Sequence, residues 1–234
     1  MEKLENQDNI WRYFQGEGKG SFDGSCARHD FLVCQVGRWV RPPAAILNIG
    51  AGNGYLETAL QRRGFDSHSL DPDDETVARL AAAGIHAQTG RIEAIPFESA
   101  TFAAIVATEV FEHLNAEQWR AGLQEIWRVL QPGGVLLGTV PYCEPLTDSL
   151  VVCPGCGARF HRWGHQQTFS EANFHEGMRS TGRAWQRQHL EPHFFWAWGQ
   201  QNWKGKIAAL AKSATNLVGA HGKNENLVFV YQKP

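Results

Sequence analysis

The sequence predicts an α/β fold in which a parallel sheet is wound on both faces by helices. Short apolar runs alternate with amphipathic stretches between residues 45 and 140, and glycine turns follow the runs. Crossovers between such strands are right-handed, so the pattern implies a doubly wound sheet.

Residues 26–41 read as a helix, with Leu32, Val36, Trp39 and Val40 on one face and Pro42-Pro43 as its stop. Ala45–Ile49 is a buried strand opening into the turn Gly50-Ala-Gly-Asn-Gly54. Tyr55–Arg63 follows as a helix closed by Gly64, then a strand at Ser67–Asp71. Asp74–Ala83 reads as a helix stopped by Gly84, and Ile85–Thr89 and Phe102–Thr108 as strands. Ala116–Leu130 is a helix presenting Trp119, Leu123, Ile126, Trp127 and Leu130, and Pro132-Gly-Gly134 turns it into the strand Val135–Val140. After Pro141 the rhythm breaks. Residues 141–170 read as loop, Ser170–Gly182 as a helix with Ser170 as N-cap, and Arg183–Leu190 and Leu227–Gln232 as strands. Between those strands lie an aromatic stretch, His193–Trp203, and a possible helix, Lys204–Val218.

The chain has 234 residues, 43% hydrophobic and 20% charged, which suits one domain with a sizeable core. The net charge of -2 gives no general argument for nucleic-acid binding. It conceals a division: residues 1–157 carry 12 Lys/Arg against 20 Asp/Glu, and residues 158–234 carry 10 against 4. The second stretch also holds 6 of the 10 His and 5 of the 9 Trp. The start, MEKLENQDNIWRYF, has no signal-peptide hydrophobic region, and no apolar run reaches the roughly 18 residues of a membrane span. With five Cys, a reduced cytoplasmic setting is expected.

A glycine turn after the first strand lets backbone approach a ligand closely, and an acid ending the second strand, Asp71, can accept ribose hydroxyls. With Asn48-Ile-Gly-Ala-Gly-Asn-Gly54 and Leu70-Asp71 stand Gly90-Arg-Ile-Glu-Ala-Ile-Pro-Phe97, Phe111-Glu-His-Leu114 and Val129-Leu-Gln-Pro-Gly-Gly134. In this order and spacing they resemble the class I S-adenosylmethionine-dependent methyltransferases, in the branch of small-molecule, quinone and sugar enzymes. The resemblance implies a seven-stranded, Rossmann-like sheet with the last strand antiparallel. It also implies one methyltransferase domain over 1–234, an N-terminal helical cap at 1–42 and a lid-like insertion at 141–170. Under it, Asn48, Gly50, Ala51 and Gly52 pass beneath the methionine and ribose of S-adenosylmethionine. Asp71 binds the ribose, Pro72, Arg91 and Ile92 border the adenine, and Thr108 lies near the methionine end. Three positions depart from the family: Asn48 and Arg91 stand where acids are usual, and Ala103 where Asp is usual.

Methyl transfer needs alignment, and a hydroxyl acceptor also needs a base. His113 is the first candidate base, with Glu109 as its companion. Glu109, Glu112 and His113 have helical i, i+3, i+4 spacing and resemble the divalent-ion cluster of magnesium-dependent quinone O-methyltransferases; a solvated acidic helix start is the plainer reading.

Cys153-x2-Cys156-x4-His161-x3-His165 has the spacing of a structural zinc site resembling a zinc-ribbon knuckle. Cys26 and His29 could supply missing ligands, His161 or His165 could instead face substrate, and a redox pair or coincidence are the alternatives. Tyr142, Trp163, His165, Phe169 and the run Pro192–Trp198 are expected pocket or lid residues. The expected acceptor is a small molecule, polar or anionic, methylated on oxygen. RNA methylation or nucleic-acid binding through the basic cap is the alternative, although no dense Lys/Arg run supports it. Two further readings are a peripheral membrane contact through Lys204–Val218 and a non-catalytic cofactor-binding scaffold.

Overall fold

The computed structural model describes residues 8–15, 24–195, 207 and 225–234. Helices α1 (Asp8–Gln15) and α2 (Cys26–Trp39) precede strand β1 (Ala45–Ile49). Next come α3 (Tyr55–Gln61), β2 (Asp66–Asp71), α4 (Asp74–Ala82), β3 (His86–Thr89) and β4 (Phe102–Thr108). A 3-10 turn at Phe111–His113 leads to α5 (Ala116–Val129) and the long strand β5 (Leu130–Pro141). The chain ends with the short hairpin β6 (Leu150–Val152) and β7 (Arg159–His161), α6 (Glu171–Ser180), β8 (Gln186–His193) and β9 (Asn226–Gln232).

Seven strands form one sheet in the order β3-β2-β1-β4-β5-β9-β8. Neighbouring pairs from β3 to β5 are parallel, while β9 runs antiparallel to both β5 and β8. The expected architecture, including the antiparallel last strand, is therefore present. The register explains why apolar runs mark these strands. In β4, Ala104 and Val106 pack with Leu32, Val36 and Leu60 of α2 and α3, while Ile105 and Ala107 pack with Leu123 and Ile126 of α5. Both faces are buried, so alternation gives way to continuous apolar sequence.

Local chemistry sets the helix ends. Asn115 and Ser170 each form a capping box, with Gln118 and Asn173 respectively, satisfying N–H groups that a helix start leaves unpaired. Asp73 caps α4 by accepting the Thr76 N–H at 2.9 Å.

Four expectations change. Trp39 does not join the buried face of α2 and stands 40% exposed; Val33 lies there instead. β5 begins at Leu130, earlier than the Pro-Gly-Gly turn implied, because its register with β4 shifts between Phe102 and Ala104. The segment 141–170 is not a plain loop: β6 and β7 pair antiparallel, Leu150 opposite His161. The strand expected at Arg183–Leu190 runs from Gln186 to His193. Of the Lys204–Val218 expectation only Ile207 is described; the rest, and the aromatic residues 196–203, lie outside the described residues. Among the described residues, no helix is long and apolar enough to cross a membrane.

Candidate active site

The carboxyl ends of β1, β4 and β5 open onto a cavity of about 510 Å³, where ligands bind in open parallel sheets. Its lining includes Asn48, Gly50, Ala51, Gly52 and Thr108 from the expected donor site, and Glu109 and His113 from the expected acceptor side. Asp71, Pro72, Arg91 and Ile92 lie outside that lining.

The turn after β1 is built for close backbone approach. Gly50 has φ +83°, and a Cβ there would meet Val110 Cγ2 at 2.8 Å. The Ala51 N–H donates to Asp71 Oδ2 and the Asp73 N–H to Asp71 Oδ1, both at 2.9 Å. Asp71 therefore ties the end of β2 to the glycine turn. Arg91 is exposed, as is Pro72, whereas Ile92 is buried and packs where a Cβ on Gly122 would come within 2.9 Å of it.

Asn48 stands where the family usually has an acid, and the structure shows an acid directly behind it. Asn48 Nδ2 and Ser69 Oγ both donate to Glu57 Oε1 at 2.7 Å. Glu57 is fully buried, and burial raises its pKa. Its signal in sequence was a charged residue inside the short helix that follows the glycine turn, beside a strand carrying Ser69.

On the expected acceptor side, Glu109 follows β4 with φ +55°. It does not share a helical face with Glu112 and His113, which sit in the 3-10 turn. Its Oε1 accepts from Thr139 Oγ1 and Asn226 Nδ2, each at 2.8 Å, and its Oε2 lies 3.7 Å from Arg28 Nη1. Thr108 is linked to the same network through Thr139 Oγ1 at 2.8 Å. Glu112 is buried with neither carboxyl oxygen hydrogen-bonded; burial, then the charge of Glu109, pushes its pKa well up. His113 packs its ring 4.1 Å from Trp11 and 4.7 Å from His165, centroid to centroid. Burial first, and His165 next, holds its pKa well below the usual histidine range.

The expected zinc ligands are split between two places. Cys153, Cys156, His161 and His165 do not converge. The two cysteines sit at the hairpin tip, where the Cys156 and Gly155 N–H groups and the Cys156 side chain lower the Cys153 pKa. Among the described residues neither cysteine joins a trio of Cys, His, Asp or Glu donor atoms lying within 4.8 Å of one another. His161 and His165 turn inward instead, stacked at 4.5 Å with Glu144 beside them. His161 Nδ1 accepts the His165 backbone N–H at 3.1 Å, His165 Nδ1 lies 2.5 Å from Glu144 Oε2, and donor atoms of these two histidines and Glu144 lie within 4.8 Å of one another, apart from the cysteines. Cys26 and His29 do not complete a site either; His29 contacts Ser25 at 3.4 Å and stacks on Tyr55.

Of the expected lid residues, Trp163 and His165 line the cavity. Phe169 belongs to the core against Trp119, and Tyr142 donates to Glu171 at 2.9 Å. The wall also contains Ile10, Trp11, Phe14, Arg28, Glu144 and Glu225, which sequence reading missed. The periodicity of α1 carried a signal for the first three, since Ile10, Trp11 and Phe14 fall on one helical face.

Comparison with known proteins agrees with this geometry. Residues 47–138 match the family described as "Methyltransferase domain". An uncharacterized methyltransferase of Mycobacterium tuberculosis is 34% identical over 102 residues, 42% of this chain and 41% of that protein. A malonyl-[acyl-carrier protein] O-methyltransferase of Serratia marcescens is 33% identical over 126 residues, 50% of this chain and 47% of that protein. The chain thus spans less than half the length of the curated relatives it matches. In fold, it is similar to a chain of the complex between the Haloferax volcanii Trm112 methyltransferase activator and a methyltransferase. The TM-score is 0.70 at 17% identity, covering 99% of this chain and 100% of that one. It is also similar to the Burkholderia thailandensis 1,6-didemethyltoxoflavin-N1-methyltransferase with bound S-adenosylhomocysteine. There the TM-score is 0.63 at 15% identity, covering 97% and 85% of the two chains. With the glycine turn, Asp71 and the seven-stranded topology already in place, residues 47–138 match a methyltransferase domain, and the fold is similar to that of S-adenosylmethionine-dependent methyltransferases.

Proposed function

We propose that this protein transfers a methyl group from S-adenosylmethionine to a hydroxyl oxygen of a small molecule. The observation that carries the reading is one cavity whose lining brings Gly50–Gly52 and Thr108 together with Glu109, His113 and His165. Gly50, Ala51 and Gly52 would hold the donor's methionine and ribose part, with Asp71 on the ribose side. When bound, S-adenosylmethionine supplies a methyl group on a positively charged sulfur. The chain supplies alignment and a place for the proton.

Among the described residues the lining has aromatic walls, Trp11, Phe14 and Trp163, and carboxyl groups at Glu109, Glu112, Glu144 and Glu225 against one guanidinium, Arg28. That lining favours a polar acceptor with an apolar or aromatic body. It disfavours the RNA alternative, since a polyanion would face this carboxylate-rich wall. The O-methyltransferase among the relatives acts on oxygen, which agrees with the proposal.

Two measurements test it. Calorimetry with S-adenosylhomocysteine is expected to show one site per chain; no binding would refute the donor site. Incubation of the protein and radiolabelled donor with a cell extract is expected to place label in the small-molecule fraction. Label confined to RNA would establish the alternative.

A further inference from the structure

The segment after β5 does more than cover the cavity. It delivers a carboxylate–imidazole pair to the cavity wall. Gly164, with φ +78°, lets the chain double back after β7, so that His161 and His165 stack with 24° between their planes. The segment is fastened to the 3-10 turn after β4. The Gln166 N–H donates to the Glu112 carbonyl at 2.7 Å, and the Gln166 and Gln167 side chains donate to the His113 and Leu114 carbonyls at 2.6 Å. A group held by such a framework keeps its orientation without ligand.

The hydrogen bonds decide where the protons sit. His161 Nδ1 accepts a backbone N–H, so its ring proton is on Nε2, which lies 3.5 Å from Glu144 Oε1. His165 Nδ1 donates to Glu144 Oε2. The Glu144 carboxylate thus holds the His165 ring and lies beside that of His161, and His165 keeps its lone pair on Nε2, in a ring that lines the cavity. A carboxylate orienting an imidazole in this way is the arrangement that prepares a histidine to take a proton.

We propose that His165, oriented by Glu144, is the base that receives the acceptor's proton, and that His161, stacked on its ring, is a positioning residue. In the transfer the acceptor hydroxyl gives its proton to His165 Nε2. The oxygen's electron pair forms the new bond to the methyl carbon, and the pair of the broken S–CH3 bond stays on sulfur, leaving S-adenosylhomocysteine. The imidazolium then releases its proton to solvent. His113, the expectation from sequence, fits the task less well. No carboxylate orients it within hydrogen-bond distance, its nearest approach to Glu112 being 4.0 Å, and its Nδ1 is buried without a partner. It serves as wall between Trp11 and His165.

The inference rests on the methyltransferase reading of the same cavity, and its test needs no identified acceptor. Long-range nitrogen-15 NMR of the wild-type protein at neutral pH is expected to show the proton of His165 on Nδ1 and of His161 on Nε2. Brief treatment with diethyl pyrocarbonate is expected to modify His165 before His113, and Glu144→Gln to slow that modification by about fivefold or more. S-adenosylhomocysteine binding by the same variant, unchanged within about twofold, shows that the fold is intact. A proton on His165 Nε2, earlier modification of His113, no effect of Glu144→Gln, or a stoichiometric metal ion on His161 and His165 would each overturn the proposal. Wild-type protein that shows the expected tautomers but binds no S-adenosylhomocysteine would instead overturn the methyltransferase reading.

Discussion

Replacing Gly50 by alanine tests the donor turn at its narrowest point. Two costs act on the variant. At φ +83° an L-residue pays about 1–2 kcal/mol for the left-handed conformation. The new Cβ would lie 2.8 Å from Val110 Cγ2, well inside the roughly 3.5–4.0 Å of a relaxed carbon contact. Val110 is 8% exposed and β-branched, so it yields only by moving against the core, and such overpacking costs about 1–3 kcal/mol. The sum is about 2–5 kcal/mol, a fall in Tm of roughly 4–20 °C for a chain of this size. The two parts are separable. Val110→Ala removes the contact without changing the backbone, so the double variant should recover the overpacking part while the conformational part remains. Urea unfolding of the four proteins is expected to give a coupling of about 1 kcal/mol or more between the two sites. Gly50→Ala within about 0.5 kcal/mol of wild type, or strictly additive costs, would refute the reasoning.

Three further outcomes follow from buried and exposed groups. Burial, then the charge of Arg28, lowers the His29 pKa to about 4. Its contribution is therefore full above about pH 6.5 and is lost as pH falls towards 4, by about 3 kcal/mol in all. Urea unfolding across that window should show the slope, His29→Gln should reduce it, and equal slopes in both proteins would exclude a buried neutral His29. Glu112 has the opposite sign: with its pKa raised by burial and Glu109, its contribution is present at low pH and declines as pH rises above the ordinary carboxylate range. Glu112→Gln should gain stability over wild type between pH 5 and pH 8, and a pH-independent difference would count against it. Cys153→Ser with Cys156→Ser is expected to change stability by no more than about 0.5 kcal/mol, as at a surface tip; a large loss would restore a structural metal there.

The sheet was legible because its cause is local. Apolar runs such as Phe102–Thr108 are buried on both faces, and Gly50, Gly64 and Gly84 mark places where the chain must adopt positive φ. The donor turn and Asp71 were legible for the same reason: one strand–turn–helix unit and the end of its neighbour contain the whole pattern. Boundaries after Pro141 were less so, since β5, β8 and β9 take their lengths from one another's hydrogen bonds.

The amino-acid sequence by itself determined the parallel sheet, the order of its elements and the turn on which the donor would rest. Only the tertiary structure decided which polar groups line the cavity. Spacing put His161 and His165 with Cys153 and Cys156, but the hairpin carries the cysteines to its tip and turns the imidazoles towards Glu144. Helical spacing likewise grouped Glu109 with Glu112 and His113, yet a positive φ at Glu109 sends it to Thr139 and Asn226. Periodicity records which side of an element meets the core; the partner of a polar group depends on which distant segments that core brings together.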